Sequence, residues 1–375
     1  MDAHDASVPK QTPIWLDCDP GHDDAFAILL AVHHPALEIL GISTVHGNAS
    51  LEDTTINAGS VLEAIGRPDI GVYPGARKPF CREAVHAPYI HGITGIDGTE
   101  LLPQPTSPPI TDINAILAMR NGLLAQAEGD AWLVSTGALT NIGLLFATFP
   151  ELAAHIKGLS IMGGAVGDGF SPVTEKDSNA PFGNTTFYAE FNIYCDPEAA
   201  HSIFSNPILA AKTTLVPLDL THQVIGTYDI QQRLLNDSAP SAKAAGLTIR
   251  QMFHDLLTYY VRTYIKIFGL TDGSPLHDPV AVAVVLFDEG SEDLAFNDHG
   301  GERFAITVKT EGEHEKPDYH NRNIGQAELG RIVVTKLAPG EEGIRIPRGL
   351  DVSRFWDVLN SSMGRAEETL LSRLG

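Results

Sequence analysis

Asp17, Asp19, Asp23 and Asp24 fall within the run DCDPGHDDAFAILLA, residues 17–31, and four carboxylates this close cannot all stay charged unaided. Mutual repulsion and any burial both favour protonation, so the group needs solvent, shared protons or a bound cation. Oxygen-only ligation, with no local cluster of cysteine or histidine, suits hard Ca2+ or Mg2+ better than zinc. Calcium tolerates the irregular geometry of such a loop better. An isolated DxD pair would more simply cap a helix, but Pro20 and Gly21 fix a turn between the two pairs and aim several carboxylates into one crevice. The spacing is not that of an EF-hand loop.

The elements that must hold these groups read as strand, acidic loop, helix. PIWLDC (13–18) is an apolar run that stops at the first aspartates, and DDAFAILLAVHH continues at helical spacing with Asp23 and Asp24 in its first turn. LEILGISTV, a short strand around IGVYPG, AWLVSTG and KGLSIMGG read as further strands. LEDTTINAGSVLEAIG, TDINAILAMRNGLLAQA and TNIGLLFATFP read as helices between them. This alternation predicts an α/β fold: a mostly parallel, Rossmann-like central sheet flanked by helices, with ligands at the carboxyl ends of the strands. Residues 78–110 read as a long functional loop, and a second glycine- and asparagine-rich loop runs over 163–186. AKTTLVPLDL reads as a strand, 226–287 as an inserted helical region, FAITVKT and GRIVVTKL as late strands, and VSRFWDVLNSSM as a closing helix. We expect a flexible stretch over 1–12 and one domain over 13–375.

Composition narrows the partners. The chain has 375 residues, with 47 acidic against 25 basic side chains and a net charge of -22, so phosphate backbones and anionic membranes would be repelled. A small, neutral substrate feels that field least. Cys18, Cys81 and Cys195 form no metal-type spacing and are expected as free thiols, and the opening residues carry no leader pattern. A cytoplasmic location is the expectation.

The run at 17–31 resembles the signature of the inosine-uridine-preferring nucleoside hydrolases. VHGN, IHGITG, STGALTNI, MGGA, AEFNIYCDPEAA, DLTH and LHDP follow in that family's order, so the resemblance spans residues 13–287. It implies calcium held by Asp19, Asp24, the carbonyl of Thr136 and Asp278, with Asp17 beside the metal and water. It assigns Asp23 to the ribose 2'-hydroxyl, and Asn48, Asn184, Glu190 and Asn192 to the other ribose contacts. Asp19 would be the general base and His277 the leaving-group acid, with Asn192 completing the catalytic set. Met162 would line the sugar or base pocket, and His91, Tyr260 and Tyr264 the base pocket of broadly specific and pyrimidine-preferring members.

The implied reaction is hydrolysis of the N-glycosidic bond of free ribonucleosides, uridine first and then inosine or cytidine, through an oxocarbenium-like sugar. It also implies a homodimer or homotetramer and a part in nucleoside salvage. The segment IKIFGLTDGSPL (265–276) departs from the family's commonest helix, which touches the tyrosine assignment most, and it holds no tryptophan to stack a purine. TEGEHEKPDYHNRN (310–323) reads as an exposed loop. Two other classes share the acidic loop. A divalent-metal DxD glycosyltransferase would leave AEFN and HDP unexplained and lacks a diphosphate cradle. A non-catalytic nucleoside or ribose sensor would have no use for Asp19 and His277 as base and acid.

Overall fold

The computed structural model describes residues 10–174, 181–290, 294–314 and 327–374. The expectations for 1–9, for 175–180 of the glycine-rich loop and for 315–323 of the charged run lie outside the described residues. Six parallel strands form the central sheet: β1 (Thr12–Cys18), β2 (Leu37–Thr44), β3 (Val72–Pro74), β4 (Trp132–Ser135), β5 (Gly158–Met162) and β6 (Thr213–Val216). Their order is β3-β2-β1-β4-β5-β6, so the direction of winding reverses between β1 and β4. A crevice opens at the carboxyl ends of the strands where such a sheet reverses. Asp17, near the end of β1, pairs in register with Ser43 of β2 and Ser135 of β4.

Helices bury both faces. One core joins β1 and β2 to the fully buried helix His22–His33, the apolar helix Asp278–Asp288 and the last helix, Val352–Leu374. The other packs β4, β5 and β6 against helices Ala115–Leu124, Thr140–Thr148 and Pro197–Phe204. Strands buried on both faces read as continuous apolar runs, which is why β1, β4 and β5 are recognisable without alternation.

The helical region contains Tyr228–Asn236, Pro240–Ala244, Ile249–Phe268 and Asp278–Asp288. Strands Phe304–Val308 and Ile332–Lys336 pair with each other, antiparallel, outside the main sheet.

Two local expectations need correction, and one motif gains an element. The stretch 78–110 contains a helical turn, Pro88–His91, started by a proline at its first position and burying Ile90 and His91. AKTTLVPLDL is a strand only to Val216, because Pro217 has no N–H for the ladder, and Leu218–Thr221 turns as a helix. AEFNIYCDPEAA carries a short helix, Phe191–Cys195, capped by Glu190, ahead of the helix Pro197–Phe204.

Candidate active site

The strand-to-helix turn after β1 delivers the acidic cluster. Gly21 N–H donates to Asp24 Oδ2 at 2.9 Å, holding one carboxylate at the positive end of the helix. Asp24 Oδ1 accepts from Thr136 Oγ1 at 2.8 Å, which ties the turn to the end of β4. Asp17 Oδ1 accepts from Ser43 Oγ at 2.5 Å and from Asn141 Nδ2 at 2.7 Å. The backbone N–H of Asn48 donates to Asp19 Oδ2 at 2.7 Å. The Asp19 carboxylate is pressed against Gly47 and Gly137, where any Cβ would collide with it, so both positions need glycine.

Asp278 opens the helix Asp278–Asp288 and brings a carboxylate from far along the chain into the same crevice. Carboxylate oxygens of Asp23, Asp24 and Asp278 lie within 4.8 Å of one another. The closest trio therefore includes Asp23, whereas the resemblance assigned Asp19 with Asp24 and Asp278 to the ion. Asp19 stands beside the trio, close enough to raise the pKa of Asp278.

All five aspartates are buried. Burial pushes Asp17 up to about 7, and burial together with the charge of Asp24 pushes Asp23 up to about 7. Burial, then Asp24, raises Asp19 well above the usual carboxylate range, and burial, then Asp23 and Asp24, does the same to Asp278. Asp24 is raised by burial too. Asp17 Oδ2 and Asp19 Oδ1 are buried without a hydrogen-bond partner among the described residues.

Buried, unpaired carboxylate oxygens are costly, and this set fits a divalent cation. Oxygens around one calcium, each about 2.3–2.6 Å from it, lie within about 5 Å of each other, which the trio satisfies. The carbonyl of Thr136 already accepts from Asn192 Nδ2 at 2.8 Å, leaving one lone pair for another partner.

Above the carboxylates lies a cavity lined by Asp23, Asn48, His91, Thr136, Met162, Asn184, Glu190, Asn192, Tyr260, Tyr264, His277 and Asp278. Every substrate-contact residue implied by the resemblance lines it except Asp17, which sits deeper. Several of them, Asn48 and Asn192 included, are also hydrogen-bonded within the protein. Both Glu190 oxygens accept backbone N–H groups, from Asn192 at 2.9 Å, Ile193 at 3.1 Å and Gly164 at 2.9 Å. Asn184 Oδ1 accepts from Phe191 N at 2.9 Å.

On the opposite wall a hydrogen-bonded chain crosses the cavity. Tyr260 donates to Asp23 Oδ2 at 3.3 Å, the two tyrosine hydroxyls are 3.2 Å apart, and the Tyr264 hydroxyl is 2.8 Å from His277 Nε2. His277 Nδ1 is 2.7 Å from Thr221 Oγ1. Burial, then His222, holds His277 well below the usual imidazole range, so the ring is neutral near pH 7. His91 is likewise lowered by burial, then by His22 and His277, and its Nδ1 lies 3.1 Å from His22 Nδ1.

Residues that sequence reasoning left without a role include Tyr89 and Phe268 at the cavity wall, and Ser43, Asn141 and Thr221, which hold Asp17 and His277. STGALTNI and DLTH contained two of them. The motif spacing marked the segments, but nothing local marks which side chain turns toward an aspartate or a histidine.

The inosine-uridine preferring nucleoside hydrolase model matches residues 14–357. A uridine nucleosidase of Saccharomyces cerevisiae is 39% identical over 96% of this chain and 98% of its own length. A pyrimidine-specific ribonucleoside hydrolase, RihA, of Shewanella woodyi is 37% identical over 80% of this chain and 85% of its own. Among solved structures, a purine-preferring ribonucleoside hydrolase from Gardnerella vaginalis superposes with a TM-score of 0.73 at 24% identity, covering 97% of this chain and all of that one, a likeness of fold. With those matches and a buried carboxylate trio at the sheet's switch point, the chain belongs to the inosine-uridine preferring nucleoside hydrolase family and is an N-ribosyl hydrolase of ribonucleosides.

Proposed function

We propose that the crevice hydrolyses free pyrimidine ribonucleosides, uridine foremost, with cytidine and inosine as further substrates, and that calcium is its resident ion. The observation that carries this is the buried trio of Asp23, Asp24 and Asp278 beside the unpartnered oxygens of Asp17 and Asp19. In this proposal Asp19, Asp24, Asp278 and the Thr136 carbonyl would hold the ion, and Asp23, in the same cluster, would contact the ribose 2'-hydroxyl. When bound, calcium supplies Lewis acidity and charge balance at the crevice floor.

The chain's own groups do the rest. Asp19 takes the proton of the attacking water at Oδ1, its free oxygen. Asn48, Asn184, Glu190 and Asn192 bind ribose hydroxyls, and because their polar atoms are in a confined cavity, ligands lacking those hydroxyls leave them unpaired. Water attacks the anomeric carbon as the bond to the base breaks, and the developing charge on the base is met by hydrogen bonds from the Tyr264–His277 chain. Since burial keeps His277 neutral, it acts through one N–H or through Tyr264, with Thr221 Oγ1 beside Nδ1 holding the ring in place. A uridine preference is supported by the names of the two relatives above and by the tyrosine pair. Among the described residues no tryptophan lines the cavity.

Release of free ribose from uridine, cytidine and inosine, before and after EGTA treatment and after calcium is restored, tests the proposal. Loss and recovery of ribose release supports it, and release that survives complete metal removal contradicts the calcium assignment. Sugar transfer to an acceptor would favour a glycosyltransferase, and binding without release a sensor. A cytoplasmic enzyme assembled as a homodimer or homotetramer belongs to the same proposal. Light scattering at the mass of one chain would contradict that assembly.

A further inference from the structure

The last helix, Val352–Leu374, lies beyond the most specific motifs, yet it joins the two helices that meet in the cavity. Its apolar side, with Phe355, Leu359, Met363 and Ala366, packs in the core that contains the helix His22–His33, the carrier of Asp23 and Asp24. Arg365 Nε donates to the carbonyl of His33, fastening the far end of that helix at 2.6 Å.

Its polar residues Asp357, Asn360 and Glu367 recur at intervals of three and seven, which places them on one face of the helix. That face grips the segment leading into the helix Ile249–Phe268. Arg233 Nη2 donates to Asp357 Oδ1 at 2.6 Å, and Asn360 Nδ2 donates to Asp237 Oδ2 at 3.1 Å. Arg250, in the first turn of Ile249–Phe268, donates through Nη1 to Asn360 Oδ1 at 2.8 Å and to the carbonyl of Leu234 at 3.2 Å. Its Nε lies 3.1 Å from Glu367 Oε2, a contact of opposite charges without hydrogen-bond alignment, and Glu367 Oε1 accepts from Ser238 Oγ at 2.5 Å. Arg250 is 4% exposed and Glu367 2%.

A buried ion pair is a poor way to add stability, because desolvating both charges offsets their attraction. What it does supply is direction: the opposite charges lie together in one relative placement of the two helices, and separating them while they stay buried is costly. Ten residues along from Arg250 stands Tyr260, whose hydroxyl reaches Asp23, and one turn further Tyr264 reaches His277. Phe26 and Phe253 meet edge to face between the helices His22–His33 and Ile249–Phe268, with centroids 4.9 Å apart. The position of the tyrosines over the carboxylates is therefore set at both ends of one strut.

We propose that Arg250 and Glu367 are positioning residues for Tyr260 and Tyr264, so that the carboxyl-terminal helix governs discrimination between bases. This rests on the proposal that the two tyrosines face the base. The test compares uridine with inosine in the calcium-loaded protein, using kcat/KM for each, inhibition by free ribose, and the melting temperature.

Glu367→Gln leaves Arg250 without its counter-charge, so a second variant, R250M paired with E367L, removes the pair with a similar apolar volume and keeps the fold. We expect the uridine-to-inosine ratio of kcat/KM to change by roughly tenfold in the paired variant, a typical size for coupling through a packed element, while ribose inhibition stays within about twofold. An unchanged ratio in the folded paired variant overturns the proposal, since a merely stabilising pair would move only the melting temperature. Tyr260→Phe separates the two layers. If it shifts the ratio and the paired variant does not, the strut is refuted and the base-pocket assignment stands. If neither shifts it, the tyrosines do not select the base and both assignments fall.

Discussion

The floor and the rim of the crevice are built in different ways. The floor consists of aspartates that are almost fully buried, seated on the end of β1 and the first turns of two helices, with Asp19 pressed against two glycines. The rim is assembled from separated segments: the turn Pro88–His91, residues 184–192, the helix Ile249–Phe268 and His277. The side chains His91, Tyr260, Tyr264 and His277 are buried like the floor, but two residues past the turn Pro88–His91 the chain reaches solvent at Ile93, which is 85% exposed. A floor of this kind tolerates little change, because each carboxylate is held by hydrogen bonds from the surrounding segments and by whatever ion they share. A rim carried by loops and one helix can vary in shape while the cleavage chemistry beneath it stays the same.

That contrast can be broken by substitution. Asp278→Asn should lower kcat/KM for every nucleoside by about 10^3-fold or more, the loss of several kcal/mol of charge stabilisation, whatever the base. A loss confined to one base would merge floor and rim. Asp19→Asn should lower kcat by roughly 10^2 to 10^3-fold as the proton acceptor is removed, with the KM for uridine changed much less. At the rim, Tyr264→Phe removes the hydroxyl beside His277 Nε2. It should lower kcat/KM for uridine by about tenfold, within the range of one buried hydrogen bond, and leave ribose inhibition within about twofold.

The smallest effect is on stability, and its sign follows from burial. Asp17 and Asp23 move from 3.8 up to about 7. In the metal-free protein each contributes stability that is present below pH 3.8 and is lost as pH rises through about 7. His22, His33, His46 and His222 move from 6.5 down to about 4, chiefly by burial, and act in the opposite sense: their contribution is present above 6.5 and is lost as pH falls toward 4. The difference between calcium-loaded and metal-free protein isolates the carboxylates, because a cation replaces their protons. The rise in melting temperature on adding calcium should therefore grow, by a few degrees, from about pH 5 to about pH 8. A rise that shrinks over that range would mean that the carboxylates are not the ligands.

The floor was also the more legible region in the sequence. DxDPGxDD packs a strand end, a turn and a helix start into eight residues, so local rules alone place Asp17, Asp19, Asp23 and Asp24 in one crevice. The parallel sheet was readable because its strands are apolar runs separated by helical periodicity. Which carboxylates come closest was not readable, because the seat of Asp19 is set by Gly47, Asn48 and Gly137, which arrive from the loops after two other strands. Glu190 illustrates another limit, since a carboxylate in a motif can cap the next helix while lining the cavity. The helical turn at Pro88–His91 was hidden in a long connection because four residues are too few for periodicity to register.

The central claim is that Asp24 and Asp278, which are distant in sequence, share one cation with their neighbours. Calorimetric titration of calcium into the metal-stripped protein, run in two buffers of different ionisation enthalpy, tests it most directly. We predict one ion per chain, protons released on binding, and loss of that binding in Asp278→Asn. Calcium binding with unchanged affinity and proton release in Asp278→Asn would contradict it.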